Sequence, residues 1–138
     1  MDVHSKETRS YNMSRVRSKD TKPEILVRKF LHKNGFRYRL HVKDLPGKPD
    51  IVLPKYKTVI FIHGCFWHGH EGCKKADLPK TRTEWWANKI NGNIVNDRKV
   101  EDLLSLNCWR IITIWTCQLN KSTLEYTLSK LLMDLTKT

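Results

Sequence analysis

Residues 45–73, LPGKPDIVLPKYKTVIFIHGCFWHGHEGC, decide the fold and hold most of the chain's reactive side chains. Two short apolar runs, residues 50–53 and 59–62, are separated by the turn-forming segment Pro-Lys-Tyr-Lys. Short β-branched runs bounded by turn residues are typical of buried strands, so this stretch predicts a β-hairpin. The hairpin would place Asp50 near His63 at one rim of a sheet. A carboxylate beside an imidazole indicates a candidate active site.

The flanking sequence predicts three helices. Residues 23–34 have an apolar face and follow a Thr-Lys-Pro-Glu sequence with the spacing of a capping box. Residues 83–106 predict a second helix, with Asn-Gly-Asn at residues 91–93 as a candidate point of division or kinking. Residues 124–135 predict a closing amphipathic helix.

Two further segments predict strands. Residues 36–41 alternate apolar with basic side chains, the period of a half-buried strand with a basic outer face. Residues 109–115 predict a central strand by composition and length. The order α-β-β-β-α-β-α predicts an α/β fold with a central mixed β-sheet flanked by helices. Residues 1–20 predict a flexible basic N-terminal arm, and residues 21–138 predict a single domain.

The charge balance favours a polyanionic partner. The 138 residues include 26 Lys and Arg against 14 Asp and Glu, a net charge of +12. Such a surplus, with five tryptophans, favours nucleic acid over a basic surface that serves solubility alone. Neither a membrane-spanning run nor the apolar core of a secretory signal is expected, which favours a reducing compartment.

Three cysteines and a histidine form a candidate metal site. The ligands would be Cys65, Cys73 and Cys117, with His63, His68 or His70 as the fourth. Thiolates and an imidazole in tetrahedral array select zinc, and a closed set of four protein ligands is structural. The alternative is a set of unligated core cysteines. The fourth cysteine, Cys108, is expected to be a small buried hydrophobe.

A hydrolytic site is the second candidate. Phosphodiester hydrolysis needs a carboxylate that holds Mg²⁺, a base that orients or deprotonates water, and a donor for the leaving oxygen. Asp50 suits the first role, and His63 and His68 suit the others. Glu24, at the start of the first helix, would add a water-mediated contact to the metal. Taken alone, Asp50 reads as a turn-capping aspartate, but its neighbouring histidines favour the catalytic interpretation.

Five motifs carry a resemblance to a known family. The segments LPGKPDIV, VIFIHGCFWHGH, TRTEWW, NDR and WRIITIWTC resemble those of the very short patch repair mismatch endonucleases, over about residues 6–120. The resemblance implies a monomeric bacterial enzyme of the PD-(D/E)XK restriction-endonuclease-like fold, acting in the cytoplasm. It implies nicking of double-stranded DNA 5′ to the thymine of a T:G mismatch left by deaminated 5-methylcytosine. That nick begins very short patch repair, which a repair polymerase and a ligase complete.

The resemblance also assigns roles to individual residues. It implies that Mg²⁺ binds Asp50 and the main-chain carbonyl of Ile62, a position where the family often has Thr. His63 and His68 would be catalytic, supported by Glu24 and Asp97. The implied zinc ligands are Cys65, His70, Cys73 and Cys117, and the implied DNA-intercalating residues are Phe66, Trp67 and Trp86.

The aromatic assignment competes with an ordinary core role. Phe66 and Trp67 lie in a loop of Gly, His and Cys in which both are hard to bury. A core or surface role is expected for Trp85, and a core role for Trp109 and Trp115.

Two alternative functions remain. One is a zinc-stabilised DNA-binding module without catalysis, and the other is a restriction-type endonuclease that cuts both strands. Asp50, His63 and His68 favour an enzyme, because a pure binding module has no use for a metal-binding carboxylate in that setting.

Overall fold

A computed structural model describes residues 21–137, so the predicted arm at residues 1–20 lies outside the described residues. The helices and strands are α1 (Lys22–Lys33), β1 (Ile51–Leu53), β2 (Thr58–His63), α2 (Thr83–Leu106), β3 (Arg110–Trp115) and α3 (Leu124–Thr136). Short 3-10 turns cover Pro54–Tyr56, Lys74–Ala76 and Thr116–Leu119. In the described part of the chain, every helix is too short or too polar to span a bilayer.

The predicted mixed sheet is confirmed. Its strand order is β1-β2-β3, with β1 antiparallel to β2 and β2 parallel to β3. Parallel strands need a long crossover, which here includes α2. In the parallel ladder Ile62 pairs with Ile114 and His63 with Trp115, so β2 and β3 end side by side. The segments that follow the two strands therefore begin at the same edge of the sheet.

The sheet separates two apolar layers. Ile51, Leu53 and Ile60 pack with side chains of α1 and α3, including Val27 and Leu131. On the opposite face, Val52, Val59 and Phe61 pack against Leu104 of α2. Because successive side chains of a strand point to opposite faces, three-residue β1 contributes to both layers.

The prediction of a strand at residues 36–41 is wrong in part. The side chains of this segment alternate in burial as expected, with Phe36 buried and Arg37 and Arg39 exposed. The backbone, however, makes only an isolated bridge between Arg39 and Val52. Two causes limit the pairing: β1 is short, and His41 adopts a left-handed conformation with φ of 57°, which turns the chain.

Two predictions about the helices are also wrong. Thr21 makes no side-chain cap, and Glu24 is 5% exposed inside the protein instead of folding back on the helix start. Helix α2 runs without interruption through residues 91–93. Asn93 Nδ2 donates to the carbonyl of Trp67 at 2.8 Å, which fixes the loop after β2 to this part of the helix.

Cys108 is exposed, which contradicts its predicted burial. It has a left-handed backbone, with φ of 64°, directly after the C-cap of α2. Its amide donates to Ser105, and the amide of Trp109 donates to Leu104, the hydrogen-bond pair of a Schellman motif. Cys108 therefore ends the helix and contributes nothing to the core.

Two glycines provide a test of this packing. Gly92 is inside α2 with open space around its Cα, so Gly92→Ala should raise the free energy of unfolding by about 0.5–1 kcal/mol. Gly69 has φ of 59°, and an added Cβ would lie 2.7 Å from Ile94 Cδ1 and 2.8 Å from Ile90 Cγ2. Gly69→Ala should therefore lower that free energy by more than 1 kcal/mol. Urea unfolding measures both, and equal stabilisation by the two substitutions would contradict the described packing.

Candidate functional site

A cleft of about 880 Å³ opens where β1 begins and β2 ends. Asp50 enters it just before β1, and His63 enters it as the last residue of β2. Helix α1 contributes Glu24, and α2 contributes Asp97. The hairpin thus places the predicted carboxylate and histidine at one rim, where two helices add acidic side chains.

The first polar group in the cleft is a carboxylate pair, Asp50 and Glu24. Asp50 Oδ2 accepts a hydrogen bond from the amide of Ile62 at 2.7 Å. Burial raises the pKa of Asp50 to about 7; the Ile62 hydrogen bond opposes this rise, and the charge of Glu24 adds to it. Two carboxylates in so dry a place hold excess negative charge, which a cation would stabilise.

Arg28 is a neighbour of the carboxylate pair that sequence patterns did not single out. Its Nη2 atom donates to Glu24 Oε2 at 3.3 Å, and its side chain is only 14% exposed. The guanidinium partly balances the carboxylate pair and holds Glu24 in place. A signal was available in the sequence, since Arg four residues after Glu faces it on a helix.

The second polar group is a stacked histidine pair. The rings of His63 and His68 lie parallel, with centroids 3.8 Å apart. His68 Nδ1 is 2.7 Å from Asp97 Oδ2; the carboxylate accepts a hydrogen bond from Nδ1–H, which leaves Nε2 available to other groups. Burial, and then the charge of His68, lower the pKa of His63 to about 4. His63 is therefore neutral at pH 7.

A separate cluster holds the soft ligands. Ligand atoms of Cys65, His70, Cys73 and Cys117 all lie within 4.8 Å of one another. Cys117 Sγ is 3.5 Å from His70 Nδ1. Zinc bonds of about 2.0–2.3 Å in tetrahedral geometry separate ligands by roughly 3.3–3.8 Å, so the spacing suits such an ion. Of the three histidines left open by spacing alone, His70 is the one in this cluster.

The thiols of this cluster differ in pKa. Burial alone would raise the pKa of Cys65, but hydrogen bonds from the Thr116 hydroxyl, the Cys117 backbone and His70 outweigh it and lower the value to about 6. Burial, with the adjoining Cys65, raises the pKa of Cys117 to about 11. Neighbouring thiolates repel each other, so full deprotonation needs a cation among them. The donor set therefore fits a metal ion.

Phe66, Trp67 and Trp86 form one aromatic cluster at the edge of the cleft. The three ring pairs have centroid distances of 5.3, 5.3 and 5.7 Å. Trp67 lines the cleft and is 39% exposed. These large rings support one another beside an open cleft. They can therefore contact a ligand without removing side chains from the hydrophobic core.

The other tryptophans have different surroundings. Trp85 is exposed and lies against Trp86 and Arg82, so it has the surface role. Trp109 packs against the layer that contains Leu104, as expected of a core residue. Trp115 stacks on His70 with centroids 4.1 Å apart, and its edge meets His63 at 5.3 Å. It therefore links the two polar clusters.

Comparison with known proteins gives the family. The sequence profile described as DNA mismatch endonuclease Vsr matches residues 1–75. The chain is 50% identical over 119 residues to Type II nicking enzyme V.XorIIP of Xanthomonas oryzae pv. oryzae, covering 86% of this chain and 87% of that protein. It is 47% identical over 135 residues to Type II nicking enzyme V.NmeAIP of Neisseria meningitidis serogroup A, covering 97% and 96%.

A third relative is DNA mismatch endonuclease Vsr of Escherichia coli K12. The two chains are 42% identical over 118 residues, which cover 86% of this chain and 75% of the relative. These matches confirm the family resemblance read from the five motifs. The chain belongs to the DNA mismatch endonuclease Vsr family, and it is a DNA endonuclease.

Proposed function

We propose that this endonuclease nicks one strand of duplex DNA 5′ to the thymine of a T:G mismatch, beginning very short patch repair. One observation carries the proposal. Asp50 and the stacked pair His63–His68 face a single cleft, and Trp67 of the aromatic cluster lines the same cleft. The groups proposed for hydrolysis are thus next to Trp67, the side chain proposed to open the base stack.

The carboxylate pair suits Mg²⁺. Asp50 and the main-chain carbonyl of Ile62 would hold the ion, and Glu24 would contact it through water. When bound, Mg²⁺ stabilises negative charge on the scissile phosphate. The amide of Ile62 fixes Asp50 Oδ2 at 2.7 Å, and Arg28 fixes Glu24 at 3.3 Å, so both carboxylates are held in place before a ligand arrives.

The histidine pair suits proton transfer. Asp97 accepts from His68 Nδ1, so His68 Nε2 is the atom positioned to take a proton from water. His63, stacked on His68, would donate an N–H hydrogen bond to a phosphate oxygen. The two rings are parallel and in contact, so each limits the rotation of the other. Their nitrogens would therefore be held in position to act on one phosphodiester.

Nicking by a monomer is favoured over cleavage of both strands. Two relatives that match most of this chain are named nicking enzymes. The sheet and helices of one chain supply the whole set of polar groups in the cleft, as a PD-(D/E)XK nuclease would need for one strand. Family membership as an endonuclease also weighs against a non-catalytic binding module.

The aromatic cluster suits recognition of a mismatch. A T:G pair stacks poorly, so an apolar wedge enters there at lower cost than at a matched pair. Inserting such a wedge costs a few kcal/mol per base step and is offset by contacts to the opened DNA. Phe66 and Trp86 both pack against Trp67 and would hold it rigid during insertion.

The cysteine cluster suits structural Zn²⁺. Cys65, His70, Cys73 and Cys117 would complete a tetrahedron with no position for water. The ion would bind the loop after β2 to the 3-10 turn after β3. It would thereby fix His68, two residues before His70, at the rim of the cleft.

Asp50→Asn should abolish Mg²⁺-dependent nicking of a T:G duplex and leave mismatch binding intact. It should also raise the melting temperature in Mg²⁺-free buffer by about 2–5 °C, because it removes one of two repelling carboxylates while Asn still accepts from Ile62. Gel nicking assays and thermal unfolding measure these effects, with exposed Asp44→Asn as control. If Asp50→Asn nicked the T:G duplex at the wild-type rate, the assignment of Asp50 to the metal site would be refuted. If wild-type protein nicked a matched duplex as fast as the T:G duplex, the proposed mismatch specificity would be refuted.

Zinc is tested by Cys117→Ser. Wild-type protein purified without chelator should contain about one zinc per chain by elemental analysis. The variant should lose the metal and melt at least about 5 °C lower. Without the ion, the loop after β2 is no longer bound through it to the turn after β3. Cys108→Ser, at an exposed position outside the cluster, should change neither quantity. Metal-free wild-type protein would contradict the proposal.

Trp67→Ala tests the wedge. The variant should fold and keep its metal, since Asn93 bonds only to the Trp67 backbone, but it should lose most of its preference for T:G. A fluorescent base analogue beside the mismatch should brighten with wild-type protein and with the Trp85→Ala control. Brightening of equal size with Trp67→Ala would assign the wedge to another side chain.

A further inference from the structure

Exposed basic side chains follow the edge of the sheet outside β1. Residues 36–43, Phe-Arg-Tyr-Arg-Leu-His-Val-Lys, contain no acidic side chain. Arg37, Arg39 and Lys43 are exposed, whereas the intervening Tyr38, Leu40 and Val42 are half-buried. We call Arg37, Arg39, Lys43 and the nearby Lys55 the edge track.

One end of the edge track is a groove of about 390 Å³. Arg37, Arg39 and Lys55 line it, and every described residue of its lining is basic or uncharged. Phe36 packs on Tyr56 with ring centroids 5.3 Å apart, which makes a firm aromatic wall. A groove with three cations and a rigid wall suits an anionic, extended ligand.

The other end of the edge track reaches the active-site cleft. The amide of Arg39 donates to Val52 at 2.8 Å, and the amide of Val52 donates to Arg39 at 3.0 Å. This antiparallel bridge directs the segment from the groove toward Asp50, and Lys43 and Lys48 line the cleft itself. Basic side chains are therefore present at both ends of this segment, in the groove and at the cleft.

The spacing of these charges fits a DNA strand. Alternate residues of an extended segment are about 6.6–6.8 Å apart. Phosphates of one strand advance about 3.4 Å along the axis for each nucleotide and also rotate about it, so neighbouring phosphates lie roughly 6–7 Å apart and match this interval. From Asp50, β1 and the following 3-10 turn carry Lys55 roughly 15 Å away, equivalent to about 4–5 base pairs.

We propose that the edge track binds the phosphate backbone of the duplex on one flank of the nicking site. It would add sequence-independent affinity and fix the direction of the duplex across the cleft, without a part in the chemistry. The inference deepens the proposed function, since it concerns how the same DNA substrate is held. An acidic protein segment is the competing occupant, which the experiment below separates.

The test compares two triple variants of equal charge change. Arg37→Gln/Arg39→Gln/Lys55→Gln removes the groove's cations, and Lys121→Gln/Lys130→Gln/Lys137→Gln removes exposed lysines that line neither the groove nor the cleft. The dissociation constant for a T:G duplex is measured across a salt series. The slope of log K against log salt should fall in magnitude by about 2–3 for the first variant and by less than about 1 for the second.

Duplex truncation locates the contact. On DNA shortened to about 3 base pairs on the flank that the edge track covers, the difference in affinity between wild-type protein and the first variant should shrink, because the phosphates that face the far end of the track are gone. Shortening the other flank should preserve their difference.

Three outcomes would overturn the proposal. These are equal salt slopes for the two triple variants, an affinity defect of the first variant that stays the same size whichever flank is shortened, and an affinity defect in the second variant as large as that in the first. Equal slopes would leave an acidic protein segment as the occupant. If wild-type protein failed to nick T:G DNA while the slopes still differed, the proposed function would fail and the DNA contact would stand.

Discussion

The parallel pairing of β2 with β3 is the constraint on which the rest of the structure depends. It places His63 beside Trp115 at the ends of two central strands. The stacked histidine pair and the cysteine cluster are both built from the ends of these strands and the segments that follow them. The loop after β2 supplies His68, His70 and two cysteines, and the turn after β3 supplies Cys117. A shift of one residue in this ladder would turn His63 into an apolar layer and draw Cys117 away from its partners.

The stacked rings show how closely the two clusters are joined. His68 lies on His63, the edge of Trp115 meets His63, and His70 lies on Trp115. Gly69 separates the two loop histidines, and its left-handed backbone helps turn one toward the cleft and the other toward the thiols. One short loop can therefore serve two chemistries, because glycine adopts a positive φ at lower cost than residues that carry a Cβ.

Local patterns in the sequence predicted the parts of the fold that local physics controls. The hairpin, three helices and β3 follow from apolar periodicity and turn residues, and the closeness of Asp50 to His63 follows from the hairpin. Patterns could not predict that the partner of residues 36–41 is too short for a full ladder, since pairing depends on a distant segment. Nor could they show that Cys108 ends a helix instead of filling the core. Arg28 was missed because its contact depends on Glu24 being buried inside the protein. The capping-box interpretation had instead placed the Glu24 side chain at the start of the helix.

The short, charged edge of the sheet also affects how the protein behaves in concentrated solution. An exposed strand edge presents unpaired backbone groups that invite a second chain to extend the sheet. Here a single bridge at Arg39 covers the edge strand, and the left-handed turn at His41 ends the extended segment. Arginines at alternate positions of the covering segment would oppose each other if two copies approached edge to edge. At the β1 edge, solvent-facing side chains would thus oppose extension of the sheet by a second copy.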